Sequence, residues 1–210
     1  MDLAVWIAFV AASSALLLIP GPTVLLVLAY AIGQGRRIAV PTALGVATGD
    51  LVAMTASLAG LGALVLASAT LFTALKWIGA LYLVWLGVRM IRGARATSLN
   101  VTAAPGGVSQ SEAYWNALAV TALNPKSIAF FIAFVPQFLS PATPLLPQAA
   151  ILIATFVALA AINALAYALV AHRMRAAIRR PRVVAWLTRF GGGALIAMGL
   201  ATAALRRASA

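Results

Sequence analysis

The stretch that decides the fold is residues 3–34, LAVWIAFVAASSALLLIPGPTVLLVLAYAIGQ, which contains no charged residue. A helix needs about 20 apolar residues to cross the hydrocarbon core of a bilayer, so we predict one crossing at about 4–32. The stretch is continuously apolar rather than alternating, which is not the pattern of a barrel strand. Because Asp2 precedes it without a Lys or Arg, we do not expect a signal peptide.

The composition of the whole chain is that of a membrane protein. Of its 210 residues, 64% are hydrophobic and 9% are charged, whereas typical soluble domains carry about 25% charged residues. With no cysteine, one histidine and three acidic residues, the chain has no disulfides and too few groups for a metal site or a His-dependent catalytic triad. We therefore expect neither an enzyme nor a bound metal or cofactor.

Five further apolar stretches follow the first. We place these spans at about 41–66, 71–90, 113–139, 147–171 and 183–205. The sequence therefore predicts an all-α, polytopic membrane protein, a single transmembrane domain over residues 1–210 with six transmembrane helices.

Basic residues predict the orientation. They concentrate in or beside the first, third and fifth connections, at Arg36 and Arg37, at Arg89, Arg92 and Arg95, and within 173–189. The positive-inside rule places these connections in the cytoplasm and both termini in the periplasm, although Arg206 and Arg207 argue weakly the other way. The same rule accounts for the net charge of +12, so we expect no nucleic acid as a partner.

The chain divides into two halves of three helices each, about 1–95 and 112–210, joined by a polar cytoplasmic loop at 96–111. Pro20 and Pro125, 105 residues apart, each break the first helix of a half. Leu75, Gly79, Leu83 and Gly87 recur 112 residues later as Leu187, Gly191, Leu195 and Gly199. Three crossings per half require the two repeats to be inverted. Inverted repeats with broken first helices recur in transporters, whose substrate site lies at the breaks.

Two prolines flank a glycine in the middle of the first span, Pro20-Gly21-Pro22. Each proline lacks an N–H group and clashes with the carbonyl four residues earlier, so the carbonyls of Leu16 and Leu18 lose their helical partners. In hydrocarbon such a break must face protein, water or a solute. A kink satisfied by neighbouring helices is the alternative, but two prolines exceed what a kink requires, and we favour a functional break.

Asn124-Pro125-Lys126 in the fourth span and Asp50 in the second place polar groups near the middle of the membrane. Each charge costs about 2.5–3.5 kcal/mol at a helix centre, so it needs a partner, a water-filled cavity or a solute. An Asp50–Lys126 ion pair that only fixes helix register is one alternative, and a neutral Asp50 is another, since desolvation favours the uncharged form. The candidate substrate-binding residues are Pro20, Gly21, Pro22, Asp50, Asn124, Pro125 and Lys126.

Small residues in the second and fifth spans favour close helix packing. They are the GxxxG pair Gly45 and Gly49, and the stripe Ala160, Ala164 and Ala168. Asn163 and Tyr167 lie one turn apart on the fifth helix, where they either line a path or hydrogen-bond to a neighbouring helix.

Four stretches taken together resemble the LysE/RhtB family of amino-acid exporters: PGPTVLLVLAYAIGQGRR at 20–37, ALGVATGD at 43–50, LKWIGALYLVWLGVRMIRG at 75–93 and ALNPKSIAFFIAFVPQFLSP at 122–141. The resemblance implies a six-helix bacterial inner-membrane protein that exports amino acids such as lysine, arginine, threonine or homoserine, driven by the proton-motive force. It assigns importance to the matching positions Pro20, Gly21, Pro22, Gly45, Gly49, Asp50, Asn124, Pro125 and Lys126.

The residues and the resemblance together predict a secondary active transporter that exports amino acids by alternating access and proton antiport. Lys126 and the N-terminal ends of the half-helices would hold the substrate carboxylate. Freed carbonyls near Leu16, Leu18 and Thr121, with Asn124 as an optional further ligand, would hold the ammonium. Asp50 would couple protons or contact the ammonium directly. The expected partners are an amino acid, protons and the lipid bilayer, with homo-oligomerisation left open. The alternatives are an exporter of another small solute and a membrane-embedded structural subunit.

Overall fold

The protein is all-helical in the residues that its structure, a computed structural model, describes: 1–94, 107–140, 143–178 and 181–204. These ranges contain no β-strand, which confirms the predicted all-α class. The α-helices within them are α1 (Leu3–Leu18), α2 (Pro22–Gln34), α3 (Ala39–Ala67), α4 (Ala69–Gly93), α5 (Gln110–Ala122), α6 (Pro125–Ala133), α7 (Leu145–Ile178) and α8 (Pro181–Ala204). Most of the predicted loop 96–111, and Arg206 and Arg207, lie outside the described residues.

The order of elements is the same in the two parts of the chain. In each part, two helices separated by a break at a proline are followed by a short 3-10 helix and then by two long helices. The 3-10 helices are Gly35–Ile38 after α2 and Val135–Phe138 after α6. The predicted first and fourth spans are therefore helix pairs, α1 with α2 and α5 with α6.

Several helices are long and apolar enough to cross a membrane. In the described residues these are Pro22–Gly62, Thr73–Gly93 and Leu145–Ala171, and the pair α5 and α6, bent by 46°, makes a fourth if it is one span. The apolar helix α1 is shorter. The structure thus supports a membrane protein, while the count of six crossings and the inversion of the halves stay predictions.

The 41-residue segment Pro22–Gly62 is too long for one crossing. At 1.5 Å per residue it would reach about 60 Å, twice the hydrocarbon thickness. It is interrupted where α2 ends, because Gly35 has a φ of 68°, a conformation that only glycine adopts readily. The turn at Gly35 divides the segment into α2 and α3, as the predicted first and second spans require.

Glycines allow α3 to pack closely on α5. A Cβ atom added to Gly45 would overlap the carbonyl oxygen of Tyr114, and one added to Gly49 would lie 2.7 Å from the carbonyl oxygen of Leu118. The two backbones are therefore as close as small residues permit. This packing positions the next residue of α3, Asp50, at the level where α5 ends.

The packing of α4 against α8 contains the same contact twice. A Cβ atom on Gly87 would overlap the carbonyl oxygen of Gly192, and one on Gly199 would lie 2.7 Å from the carbonyl oxygen of Ala80. A shift of 112 residues converts Gly87 into Gly199 and Ala80 into Gly192. The same offset relates the leucine and glycine pattern of the two helices in the sequence, so equivalent positions of α4 and α8 meet at this interface.

Candidate functional site at the two helix breaks

The first break separates α1 from α2. Helix α1 ends at Leu18, and α2 begins at Pro22, which occupies the first helical position. Proline is favoured at this position because the N–H group that it lacks has no partner inside the helix. The segment Pro20-Gly21-Pro22 therefore ends one helix and starts another, and it leaves the last carbonyls of α1 short of intrahelical donors. The carbonyl of Leu16 keeps one, a bond of 3.2 Å from the backbone N–H of Ile19.

The second break separates α5 from α6 in the same way. Pro125 is again the first residue of the new helix. Asn124 caps it, since its side-chain oxygen accepts a hydrogen bond of 3.1 Å from the backbone N–H of Lys126. The carbonyl of Thr121 accepts a bond of 3.1 Å from the backbone N–H of Asn124. This carbonyl therefore has one local donor, and whether its second lone pair binds a substrate stays a prediction.

Lys126 reaches from the second break to the first. Its ammonium group donates hydrogen bonds to the carbonyl oxygens of Leu16 at 3.1 Å and Ile19 at 3.0 Å, at the end of α1. A Cβ atom on Gly21 would lie 3.3 Å from this nitrogen, so the glycine leaves room for the ammonium. The side chain is 9% exposed, and the two carbonyl dipoles replace part of the hydration that it loses.

Helix α7 supplies donors to the two carbonyls between these. The Asn163 side-chain amide donates to the carbonyl of Leu17 at 3.2 Å, and the Tyr167 hydroxyl donates to that of Leu18 at 3.3 Å. Both residues hydrogen-bond to a neighbouring helix, one of the two alternatives that the sequence left open, and Asn163 also lines the cavity described below. The last carbonyls of α1 thus each have a side-chain donor from the chain itself in this structure, and their role toward a substrate ammonium stays a prediction.

The first turns of α2 and α6 are hydrogen-bonded to each other. The Asn124 amide nitrogen donates to the Thr23 hydroxyl oxygen at 3.3 Å. The hydroxyl groups of Thr23 and Thr121 lie 3.3 Å apart. The two helix N-termini, each of which carries a partial positive charge, therefore converge at one place.

Asp50 lies on α3 beside this convergence. It is 2% exposed, and its oxygen Oδ1 has no hydrogen-bond partner in the described part of the chain. The ammonium of Lys126 donates to carbonyl oxygens rather than to this carboxyl group. The structure therefore does not contain the register-fixing ion pair between the two side chains.

A small cavity of about 20 Å³ joins these groups. About 10–15 Å³ is enough for one water molecule, so the cavity has room for about one water and none for a solute the size of an amino acid. Its polar lining consists of Thr23, Asp50, Asn124, Lys126, Ser127 and Asn163. Its apolar lining consists of Leu16, Leu17, Val24, Val27, Val46, Ala160 and Ala164.

Three of the predicted site residues line the cavity, and the others shape it. Asp50, Asn124 and Lys126 are in its wall, whereas Pro20, Gly21, Pro22 and Pro125 form the breaks. Sequence reasoning missed Thr23 and Ser127 as lining residues. Each follows its proline by one or two positions, in the first turn of the new helix, and that position is a signal that could have identified them.

A buried carboxyl group and a buried ammonium, where two broken helices meet in an apolar helical protein, form the kind of site that membrane transport proteins use. The sequence profile of the family described as LysE type translocator matches residues 14–205, and the chain belongs to this family. It is therefore a translocator and not an enzyme.

The chain is similar to several bacterial proteins. It is 34% identical to the homoserine/homoserine lactone efflux protein of Salmonella typhimurium over 97% of this chain and 98% of that protein. It is 36% identical to the leucine efflux protein of an Enterobacter species over 59% of this chain and 58% of that protein. An uncharacterized membrane protein of Vibrio cholerae is 32% identical over 95% of this chain and 97% of its own length. No solved structure shows a significant match.

Proposed function

We propose that this protein exports amino acids from the bacterial cytoplasm across the inner membrane, in exchange for protons. The observation that carries the proposal is the buried carboxyl oxygen of Asp50, which has no hydrogen-bond partner within the described residues and lines one cavity with Lys126. The names of the relatives, which are efflux proteins for homoserine and leucine, support the choice of an amino acid.

The site suits the two charges of an amino acid. The ammonium of the substrate would bind Asp50, since the carbonyls at the end of α1 already have donors. The carboxylate would bind at the converging N-termini of α2 and α6, which favour anions. Lys126 would contribute there as well, because an ammonium has three donors and two of them are used.

Asp50 would also couple transport to protons. A carboxylate without a partner is costly in the middle of a membrane, and either a proton or a substrate ammonium removes that cost. The two ligands would therefore exclude each other at Asp50. Release of the substrate outside and binding of a proton there, followed by the reverse inside, would exchange one for the other.

The cavity is too small for an amino acid, so transport requires an opening movement at the breaks. We propose six crossings in two inverted halves, with both termini in the periplasm, so that α1 with α2 and α5 with α6 each form one broken span. The repeated order of elements and the doubled contact between α4 and α8 support this arrangement. Separation of the breaks on either side would then expose the same cavity to the cytoplasm and to the periplasm in turn.

The test is efflux from proteoliposomes loaded with a panel of amino acids, with and without an inward proton gradient. The expected result is efflux of at least one amino acid, accelerated by the gradient. An efflux rate that is the same with and without the proton gradient would refute the antiport mechanism. No efflux for any amino acid, from protein that is folded in the same liposomes, would refute the proposed function as a whole.

A further inference from the structure

We infer that the cavity selects amino acids whose side chain is uncharged and rejects those with a basic side chain. The inference rests on the proposed function and adds the substrate class. It follows from the fixed charges in the cavity wall, from the hydrogen bonds that hold Lys126, and from the apolar remainder of the lining.

The charges of the wall are balanced by the two ends of one amino acid. Among the described residues that line the cavity, Asp50 carries the one acidic group and Lys126 the one basic group. The substrate brings one ammonium and one carboxylate in its backbone, and these use both. A third charge on the side chain would enter the middle of the membrane without a counter-charge, where it is strongly disfavoured.

Each carbonyl at the end of α1 that could have received a second cation already accepts a hydrogen bond from a side chain of this chain. Those of Leu16 and Ile19 accept from Lys126, and those of Leu17 and Leu18 accept from Asn163 and Tyr167. The ammonium of Lys126 therefore already places one positive charge at the end of α1. The side-chain ammonium of lysine or ornithine would find neither a carboxylate nor a free carbonyl, and it would meet a like charge nearby.

The rest of the wall matches an aliphatic or short hydroxyl side chain. Val24, Val27, Val46, Ala160 and Ala164 provide the apolar contacts. Thr23 and Ser127 provide hydroxyl groups at its edge. Burial of aliphatic carbon against this surface is favourable, whereas a charged side chain would lose hydration there without compensation.

The direct test compares norleucine with lysine, since their side chains have the same number of carbons and differ by the terminal ammonium. The measurement is kcat/KM for efflux of each radiolabelled amino acid from proteoliposomes with purified wild-type protein. We expect norleucine to be preferred by about 50-fold or more, in line with one unpaired charge at mid-membrane depth. Equal rates, or a preference for lysine, would overturn this inference while leaving the proposed function intact. Efflux of neither compound nor of any other amino acid would overturn both.

A pair of variants tests whether basic side chains are rejected because the cavity wall has no second carboxylate. Val46 lies one turn before Asp50 on α3, and Val46→Asp adds a second carboxylate to the wall, whereas Val46→Asn adds a side chain of the same size without the charge. The preference for norleucine over lysine should fall by about tenfold or more in Val46→Asp and change little in Val46→Asn. Ala164→Asp and Ala164→Asn repeat the comparison from α7 if the first pair does not insert. An unchanged preference in the inserted Asp variants would overturn the inference.

Discussion

The ammonium nitrogen of Lys126 lies 3.0 Å from the carbonyl oxygen of Ile19, so one side chain fastens the second helix break to the first. The two residues are 107 positions apart in the sequence. Each belongs to a segment in which proline has ended a helix, and the cation of one segment satisfies the unpaired backbone of the other. The two breaks therefore form one structural unit.

Lys126→Met should abolish efflux of every substrate that has a carboxylate while changing stability little. The variant loses a buried charge, which is favourable by about 2.5–3.5 kcal/mol on insertion scales. It also leaves the Ile19 carbonyl without its donor, which costs about 1–3 kcal/mol. The two effects oppose each other, so we expect no large loss of stability. Thermal unfolding in detergent and efflux from proteoliposomes measure both, and normal efflux by a folded variant would contradict the assigned role.

Asp50→Asn should abolish the response of efflux to a proton gradient, because an amide cannot carry the proton. The melting temperature should not fall, since the variant lacks a carboxyl group whose charged form is costly at this depth. Glu112→Gln is the matched control. Glu112 accepts a bond of 2.7 Å from the backbone N–H of Ser109 outside the cavity, which an amide oxygen can also accept, so gradient-driven efflux should persist. Loss of the response in both variants would point to a general defect.

Gly45→Ala should lower the free energy of unfolding by about 1–3 kcal/mol, the usual cost of overpacking. The added methyl group would overlap the carbonyl of Tyr114 and push α3 away from α5. Gly60→Ala on the same helix is the control, because a Cβ atom there meets no described heavy atom within 4 Å. That substitution should stabilise the helix by up to about 1 kcal/mol. Unfolding curves of the two variants should move in opposite directions.

Pro22→Ala should change the melting temperature little. If Pro22 were inside a helix, alanine would restore a backbone hydrogen bond and recover part of the cost of about 3 kcal/mol that proline has there relative to alanine. In the structure Pro22 is the first residue of α2, where no intrahelical bond can be restored, so we expect a change below about 1 kcal/mol. A large rise in the melting temperature would show instead that α1 and α2 join into one helix when the proline is removed.

Single cysteines test the predicted orientation against a chain that has none of its own. A cysteine at Thr143 should react with an impermeant thiol reagent in intact cells. A cysteine at Ser98, in the loop that the arginines place in the cytoplasm, should be protected. The reverse pattern of labelling would place both termini in the cytoplasm.

The sequence predicts the helices and the breaks well because both follow from local chemistry. A long apolar run can satisfy its backbone in lipid only as a helix. A proline within such a run lacks the backbone N–H group and therefore breaks the helix. The partners of the broken ends could not be predicted in the same way. Lys126 donates to the carbonyls of Leu16 and Ile19 and not to Asp50. This choice depends on how closely α6 approaches the end of α1. Sequence spacing within one helix carries no information on that distance.

The contact that α4 and α8 make twice has a consequence for the direction of transport. With the halves inverted as proposed, a cavity open to one face of the membrane becomes a cavity open to the other when the halves exchange roles. Equivalent positions then exchange along this interface: the contact of Gly87 with Gly192 takes the place of the contact of Gly199 with Ala80. The packing there would therefore differ little between the two states. The protein would act as a reversible exchanger, and the relative concentrations of solute and protons on the two sides would determine which way the solute moves.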